Sequence, residues 1–540
     1  MIIGNHIRDI YLTAIRDLDL CYRRTGKSIF LEKAFEFAEK SKVAGLLAAT
    51  RELNAIQFNI PANIADLEKS LQNNIGYFNA RISAEYDKEA PNSNIVSELK
   101  GKLMISIKAR DSLLQTFKKN YPGYYTLKYN SSVPSVKEIP SIIGRNNNYL
   151  NYVISDSDMY IFLVNRKIVE MFTFKIDSAF LDNLRAFRAL LSDQSVSVNS
   201  RTKFNEYKKK GYDLYKMLIE PVRKSFISDN LIIAPDNILS YLPFETLLTK
   251  VDDDYNLNYR DLNYLMKDYN ISYTYSATFM KELVKRENKA EKDLVAFAPV
   301  YARAINADSL FVGLHGGTGV LYDLPEARQE AEYISKITGG KAYLFSHAKE
   351  SVFKKVAASY SIIHLAMHTY LNDQNPMKSA MIFSQENDPP EDGLLYTYEV
   401  YGIPMNAKMV VLSSCNTGNG LLSSGEGILS LARGFLYSGC QSVVMSMWEV
   451  DDKSGTEVMK MFYDNLMRGK SKSQALKASR TEYLKNASQL RSHPYFWASL
   501  VVYGENKPVY SKHWIPLIIA CILGVLAASV FIYLRKRRYS

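Results

Sequence analysis

The chain has 540 residues, 67 Lys plus Arg against 56 Asp plus Glu for a net charge of +11, 47% hydrophobic and 23% charged residues, and only 26 Gly and 17 Pro. That composition excludes a collagen-like, low-complexity or disordered chain, and at roughly 150 residues per domain the length accommodates several domains, each with a core of its own. The four cysteines, at 21, 415, 440 and 521, have no spacing that suits a disulfide framework or a paired-cysteine metal knuckle.

From the N-terminus, Ile7, Ile10, Tyr11, Ala14, Ile15 and Leu18 recur at spacings of one, three and four, which predicts an amphipathic helix. Thr25-Gly26-Lys27 breaks it. The next helix, Leu31 to Leu47, sets small and aromatic residues in the rhythm of a tetratricopeptide helix pair, and a repeat of about 34 residues leaves room for one or two units. An ordinary helical bundle fits the same pattern. Helices near 62–88 and 93–120, split by Ala90-Pro91-Asn92-Ser93, complete a helical region over 1–120.

After Tyr121-Pro122 the period changes to short β-type runs at Tyr152–Ile154, Met159–Val164, Leu231–Ala234 and Ile271–Tyr275. Later runs are continuous and apolar: Leu294–Phe297, Ser361–Leu365, Met409–Ser413 and Gln441–Met447, with helical stretches between them. Such strands alternating with helices predict a doubly wound α/β domain over 121–504, core 290–504, in which a mostly parallel sheet is covered on both faces. Asp323 and Glu326, flanking Pro325, read as the capping box of one of its helices. Ligands of such a sheet sit at the C-terminal ends of its strands.

Past a linker at 505–513, His513 to Leu534 carries no formal charge, and Trp514 and Tyr533 stand where interfacial aromatics belong. About 20 apolar residues cross a bilayer as a helix, so 514–534 is expected to be a single transmembrane helix and the protein to be membrane-bound by it. Arg535-Lys536-Arg537-Arg538 in the tail 535–540 favours a cytoplasmic C-terminus, whereas no apolar segment after Met1 resembles an export signal. The side of the membrane occupied by the body is left open.

Two predicted strands end in residues capable of covalent chemistry, Ile362-Ile-His-Leu-Ala-Met-His368 and Met409-Val-Val-Leu-Ser-Ser-Cys415. In neighbouring parallel strands both would reach one edge. A His beside a Cys holds it as thiolate and then protonates the departing amine. The glycines at 418, 420, 425 and 427 leave a substrate room to approach the sulfur. His364 and His368 lack the intervening Glu of a zinc helix and lie on a strand, so no metal is expected. The Gly313–Gly319 patch lacks the order of a phosphate loop and reads as a loop. No basic run interleaved with aromatics suggests nucleic acid. Cys440 in a strand and Cys21 in the first helix are expected in the core.

The stretches His364-Leu-Ala-Met-His368, Val411-Leu-Ser-Ser-Cys415-Asn-Thr-Gly, Ala432-Arg-Gly-Phe-Leu-Tyr-Ser-Gly439, Trp448-Glu-Val-Asp451-Asp452 and His493-Pro-Tyr-Phe-Trp-Ala resemble the CHAT domain, whose peptidases are relatives of caspases and separase. Upstream, Leu231 to Glu245 and Leu324 to Glu332 resemble it as well, in register and order over roughly 125–504, and 28–50 resembles the TPR segment that often precedes it. The resemblance implies a caspase-like fold and a cysteine endopeptidase with a dyad at His368 and Cys415, acting on a protein substrate without a cofactor. It further implies an oxyanion hole from the backbone N–H groups of Cys415 and Thr369, the latter standing where most relatives have Gly. By similarity to separase, Asp452, with Asp451 second, would hold an arginine or lysine before the cut; a helix N-cap is the alternative for that pair. A partner bound by the helical region would gate the enzyme. The rival is an inactive scaffold on the same fold, which Thr369 favours.

Overall fold

The computed structural model describes residues 2–50, 60–86, 88, 91–121, 124–125, 133–193, 200–251, 257–301, 323–370, 376–384, 388–413, 422–423, 427–428, 431–448 and 451–510. Cys415, most of the glycines after it, the Gly313–Gly319 patch and 514–534 lie outside the described residues.

Four long helices come first: α1 (Ile2–Thr25), α2 (Ser28–Thr50), α3 (Ala62–Tyr86) and α4 (Ser93–Asn120). Gly26, at φ +67°, makes the left-handed joint between α1 and α2 that a side chain would resist. Asn92 caps α4 by accepting from the N–H groups of Asn94 and Ile95. The covered positions of α3 (Glu68, Leu71, Ile75, Phe78) and of α4 (Val96, Leu99, Leu103, Ser106) alternate by three and four, the pattern of two helices packed along one seam. Cys21 is exposed on α1, not in the core, because α1 turns Ile15 and its neighbours inward.

An eleven-stranded mixed sheet follows. Its strands are β1 (Asn148–Ile154), β2 (Asp158–Val164), β3 (Val169–Lys175), β4 (Asn230–Ala234), β5 (Asn270–Tyr273), β6 (Lys292–Ala298), β7 (Lys341–Leu344) and β8 (Tyr360–Leu365), then, after three short strands, β12 (Met409–Leu412), β13 (Ser442–Ser446) and β14 (Leu500–Gly504). The spatial order is β3-β2-β1-β4-β5-β14-β13-β12-β8-β6-β7. β1, β4 and β5 run parallel, as do β7, β6, β8, β12 and β13, while β14 lies antiparallel to β13 and parallel to β5. Every residue of β8 and β12 is buried, which is why these strands read as unbroken apolar runs. The three short strands, β9 (Thr369–Tyr370), β10 (Ala380–Ile382) and β11 (Leu394–Tyr396), form a small antiparallel sheet beyond the end of β8.

The helices used below are α5 (Pro325–Thr338), α6 (Glu350–Val356), α7 (Asp452–Met467) and α8 (Lys472–Asn486). Pro325 opens α5 as expected, but Asp323 does not cap it. The N-cap position is Leu324, and Asp323 instead makes a two-pronged ion pair with Arg328 at 2.5 and 2.6 Å. The guanidinium fork holds that carboxylate at Arg328 in place of the N–H groups of the first helical turn.

α1 and α2 share a core with the sheet, where Ile15, Leu31, Phe35 and Ala38 pack with Tyr149, Val153, Phe162 and Ile232. Buried polar groups fix the register of that packing. Glu39 accepts from Tyr149 Oη, Asn151 Nδ2 and both the N–H and hydroxyl of Thr278, at 2.9–3.0 Å. Arg8 pairs with Asp236 at 2.9 Å and donates to the Ile154 carbonyl, while Lys42 donates to the carbonyls of Ala234 and Pro235. Burial pushes the Asp236 carboxyl up, yet Arg8 and Lys42 outweigh it and hold it below its ordinary value. Burial also pulls the Lys42 ammonium down to about 8.

The expected membrane anchor is corrected here. Among the described residues no helix is long and apolar enough to cross a membrane, so the single-pass assignment is withdrawn. The segment 514–534 on which it rested lies outside the described residues.

Candidate active site

β8 and β12 are adjacent and parallel, with Leu365 opposite Leu412, and the Ser413 N–H donates to the Leu365 carbonyl at 2.9 Å. His368 follows Leu365 by three residues, and Cys415 follows Leu412 by three. Both candidate dyad residues are therefore equally far in sequence past the last paired rung of neighbouring strands. The geometry is described on the His368 side only.

His368 is half-buried and held through its backbone. Its carbonyl accepts from the Ile382 N–H at 2.9 Å, but its own N–H does not return to Ile382. It donates to Tyr301 Oη at 3.0 Å, and that hydroxyl donates to the Ile382 carbonyl at 2.8 Å. One rung of the β9–β10 ladder thus runs through a tyrosine hydroxyl. The Tyr301 ring lies against the imidazole, centroids 4.8 Å apart and 52° tilted. Sequence reasoning missed Tyr301, because nothing local links a Tyr three residues past β6 to a rung between residues 368 and 382.

Thr369 opens β9 opposite Met381. Since His368 and Ile382 occupy the hydrogen-bonded position, Thr369 occupies the alternate one, and its N–H is directed away from β10. Among the described residues the non-glycine positions with positive φ are Asn237 and Phe345, so the position held by Thr369 asks for no glycine.

Asp451 is the N-cap of α7 and accepts from the Ser454 N–H at 2.9 Å. Asp452 sits exposed in the first turn of that helix. Trp448 is buried, its indole N–H donating to the Tyr495 carbonyl at 3.0 Å, so the Trp448 and His493–Ala498 stretches meet in space. The Leu231–Glu245 stretch is structural too. Asp236 binds Arg8, and Glu245 pairs with buried Arg480 at 3.2 Å and accepts from Tyr273 Oη at 2.5 Å.

His364 lies fully buried in β8, its Nδ1 3.2 Å from Tyr463 Oη. Its Nε2 is 2.9 Å from Glu330 Oε1, an approach too far off axis to count as a hydrogen bond. The Tyr463 contact joins β8 to α7. Among the described residues one cluster has enough carboxylates close together to attract a cation: Glu350, Glu391 and Glu399. The Lys354 ammonium already fills it, at 2.7, 2.5 and 2.8 Å. Burial pushes Glu350 up to about 7 against the opposing pull of Lys354. The cluster braces the small sheet, since Glu350 also accepts from the Gly393 N–H and Gly393 accepts from Phe383.

Residues 208–505, more than half of the chain, match the CHAT domain. This chain belongs to the CHAT domain family. Among curated proteins, tetratricopeptide repeat protein 28 of Homo sapiens is 26% identical over 214 residues, covering 34% of this chain and 8% of that protein. Its Mus musculus counterpart is 25% identical over 216 residues, 34% of this chain and 9% of that protein. The chain thus spans less than a tenth of the curated relatives it matches. Among solved structures, two crystal structures of the Saccharomyces cerevisiae separase–securin complex are 13% identical with a TM-score of 0.33. They cover 82% of this chain and 27% and 28% of theirs. The matched span includes both β8, which leads to His368, and β12, which leads to Cys415.

Proposed function

We propose that this CHAT protein is a cysteine endopeptidase that cleaves protein substrates through His368 and Cys415. The observation that carries this is the β8–β12 pairing, which puts both residues three positions past one rung. His368 takes the thiol proton and returns it to the leaving amine, while the Cys415 sulfur attacks the carbonyl. The carbonyl oxygen, negative in the tetrahedral intermediate, is met by the N–H groups of Cys415 and Thr369. The direction of the Thr369 N–H favours that role, and its strand backbone accommodates a Thr without strain. Tyr301 is a positioning residue that fixes the backbone of His368.

Asp452, exposed at the start of α7, is proposed to receive an arginine or lysine before the cut, with Asp451 holding the helix end as its cap. The helical region is proposed to receive the activating partner, and its shared core with β1 and β4 gives binding there a route into the sheet. The test is labelling of the full chain with a peptide acyloxymethyl ketone carrying Arg next to the warhead, read by mass spectrometry at Cys415. Labelling that is lost in His368→Ala and weakened in Asp452→Asn is expected. Preference for an Asp-bearing probe, or labelling unaffected by His368→Ala, contradicts the assignment.

A further inference from the structure

β7 is the last strand of the large sheet on the side that carries His368. Its inner edge pairs with β6 from Val295–Lys341 to Ala298–Leu344. Among the described residues its outer edge has no partner strand. An open edge of backbone N–H and C=O groups pairs readily with another extended chain, and proteins usually cover or distort it. Here the strand is bordered by a cavity of about 520 Å³ whose lining includes Lys341, Tyr343, Phe345, His347, Lys349 and Val352.

Two features set this edge apart from ordinary surface. Phe345, the residue just past the strand, has φ +54° and is 48% exposed. A bulky side chain in the left-handed region is strained, and a large apolar ring in water is unfavourable, so one position carries two costs that folding alone does not reward. The ring is held outward by the Arg328 guanidinium, 5.0 Å from its centroid, which is itself clamped by Asp323. The second feature is charge. Among the described residues the lining contains two lysines and a histidine and no carboxylate, and the Lys341 ammonium lies 4.5 Å over the Tyr343 ring.

We propose that the outer edge of β7 is a docking site for an extended acidic segment of a partner protein, added to the sheet as a further strand. The partner's backbone completes the ladder, apolar side chains on one of its faces pack on Tyr343 and Phe345, and carboxylates beside them meet Lys341. Charge complementarity selects this occupant. A second copy would bring the same lysines against each other. The site does not depend on the dyad, so it stands whether or not the domain is a peptidase.

The test uses the full chain and a fluorescein-labelled heptapeptide of alternating Val and Glu, followed by fluorescence anisotropy. Saturable binding that weakens with added salt is expected, together with little binding of an alternating Val and Lys peptide or of a Val and Glu peptide with a central Pro. Lys341→Glu loses about tenfold in affinity. Phe345→Gly, which suits the left-handed backbone, keeps the thermal unfolding midpoint at or above wild type but binds several-fold more weakly. Absence of saturable binding, equal binding of the Lys or Pro peptides, or unchanged affinity in K341E with its fold intact by circular dichroism each overturns the proposal.

Discussion

The two halves of the sheet treat the same topological position in opposite ways. Parallel strands leave a crevice at their C-terminal ends. In the first half, where β1 ends at Ile154 and β4 at Ala234, that crevice is plugged: Arg8 binds the Ile154 carbonyl and Asp236, and Lys42 binds the carbonyls of Ala234 and Pro235. In the second half, the ends of β6, β8 and β12 lead to Tyr301, His368 and Cys415, and His368 stays half-exposed. One half uses its strand ends to bind a helix pair, and the other leaves the His368 imidazole half-exposed. Buried ions are tolerated where every one is matched, whereas the imidazole proposed as general base has to meet a substrate.

The largest expected effect comes from breaking the plugged half. Asp236→Ala leaves Arg8 and Lys42 buried without their carboxylate and should cost about 3–5 kcal/mol in urea unfolding. His368→Ala should change stability by less than about 1 kcal/mol. Equal losses in the two variants would erase the contrast.

A buried histidine sharpens the same distinction through pH. His493 is buried against Tyr259 and Tyr207, accepts the Tyr495 N–H on Nδ1, and is drawn by burial down to about 4. A base with a depressed folded value contributes stability that is complete above the unfolded pKa, near 6.5, and is lost as pH falls through about 4. Unfolding free energy should therefore drop by up to about 3 kcal/mol across that window, and His493→Gln should flatten the drop. A smaller effect is expected at Tyr301. Tyr301→Phe removes the hydroxyl from the ladder, costs about 1–2 kcal/mol and slows probe labelling at Cys415, since the His368 backbone loses its tether. Lost stability with unchanged labelling would make Tyr301 purely structural.

The parts of this molecule that could be read from its sequence are those encoded locally. Ser361–Leu365 and Met409–Ser413 are apolar without interruption because both faces of the sheet are covered, so strand type and the placing of chemistry at their ends follow from pattern alone. Thr25-Gly26-Lys27 marked a real joint because glycine alone takes that backbone easily. What escaped depends on partners distant in sequence. Asp323 looked like a cap until Arg328 claimed it, Cys21 looked internal because α1 does not show which side faces the sheet, and Tyr301 acquires its role only once β10 folds back beside it. The end positions of a strand order, such as that of β7 among the described strands, belong to topology and have no local signature.

The most direct measurement of the dyad needs neither substrate nor activator. The rate of Cys415 alkylation by iodoacetamide is followed against pH in wild type and in His368→Ala. With His368 beside the sulfur, wild type alkylates rapidly below pH about 7, and the variant requires pH above about 8, the range of an unassisted thiol. Coincident profiles would separate His368 from Cys415 and contradict the dyad.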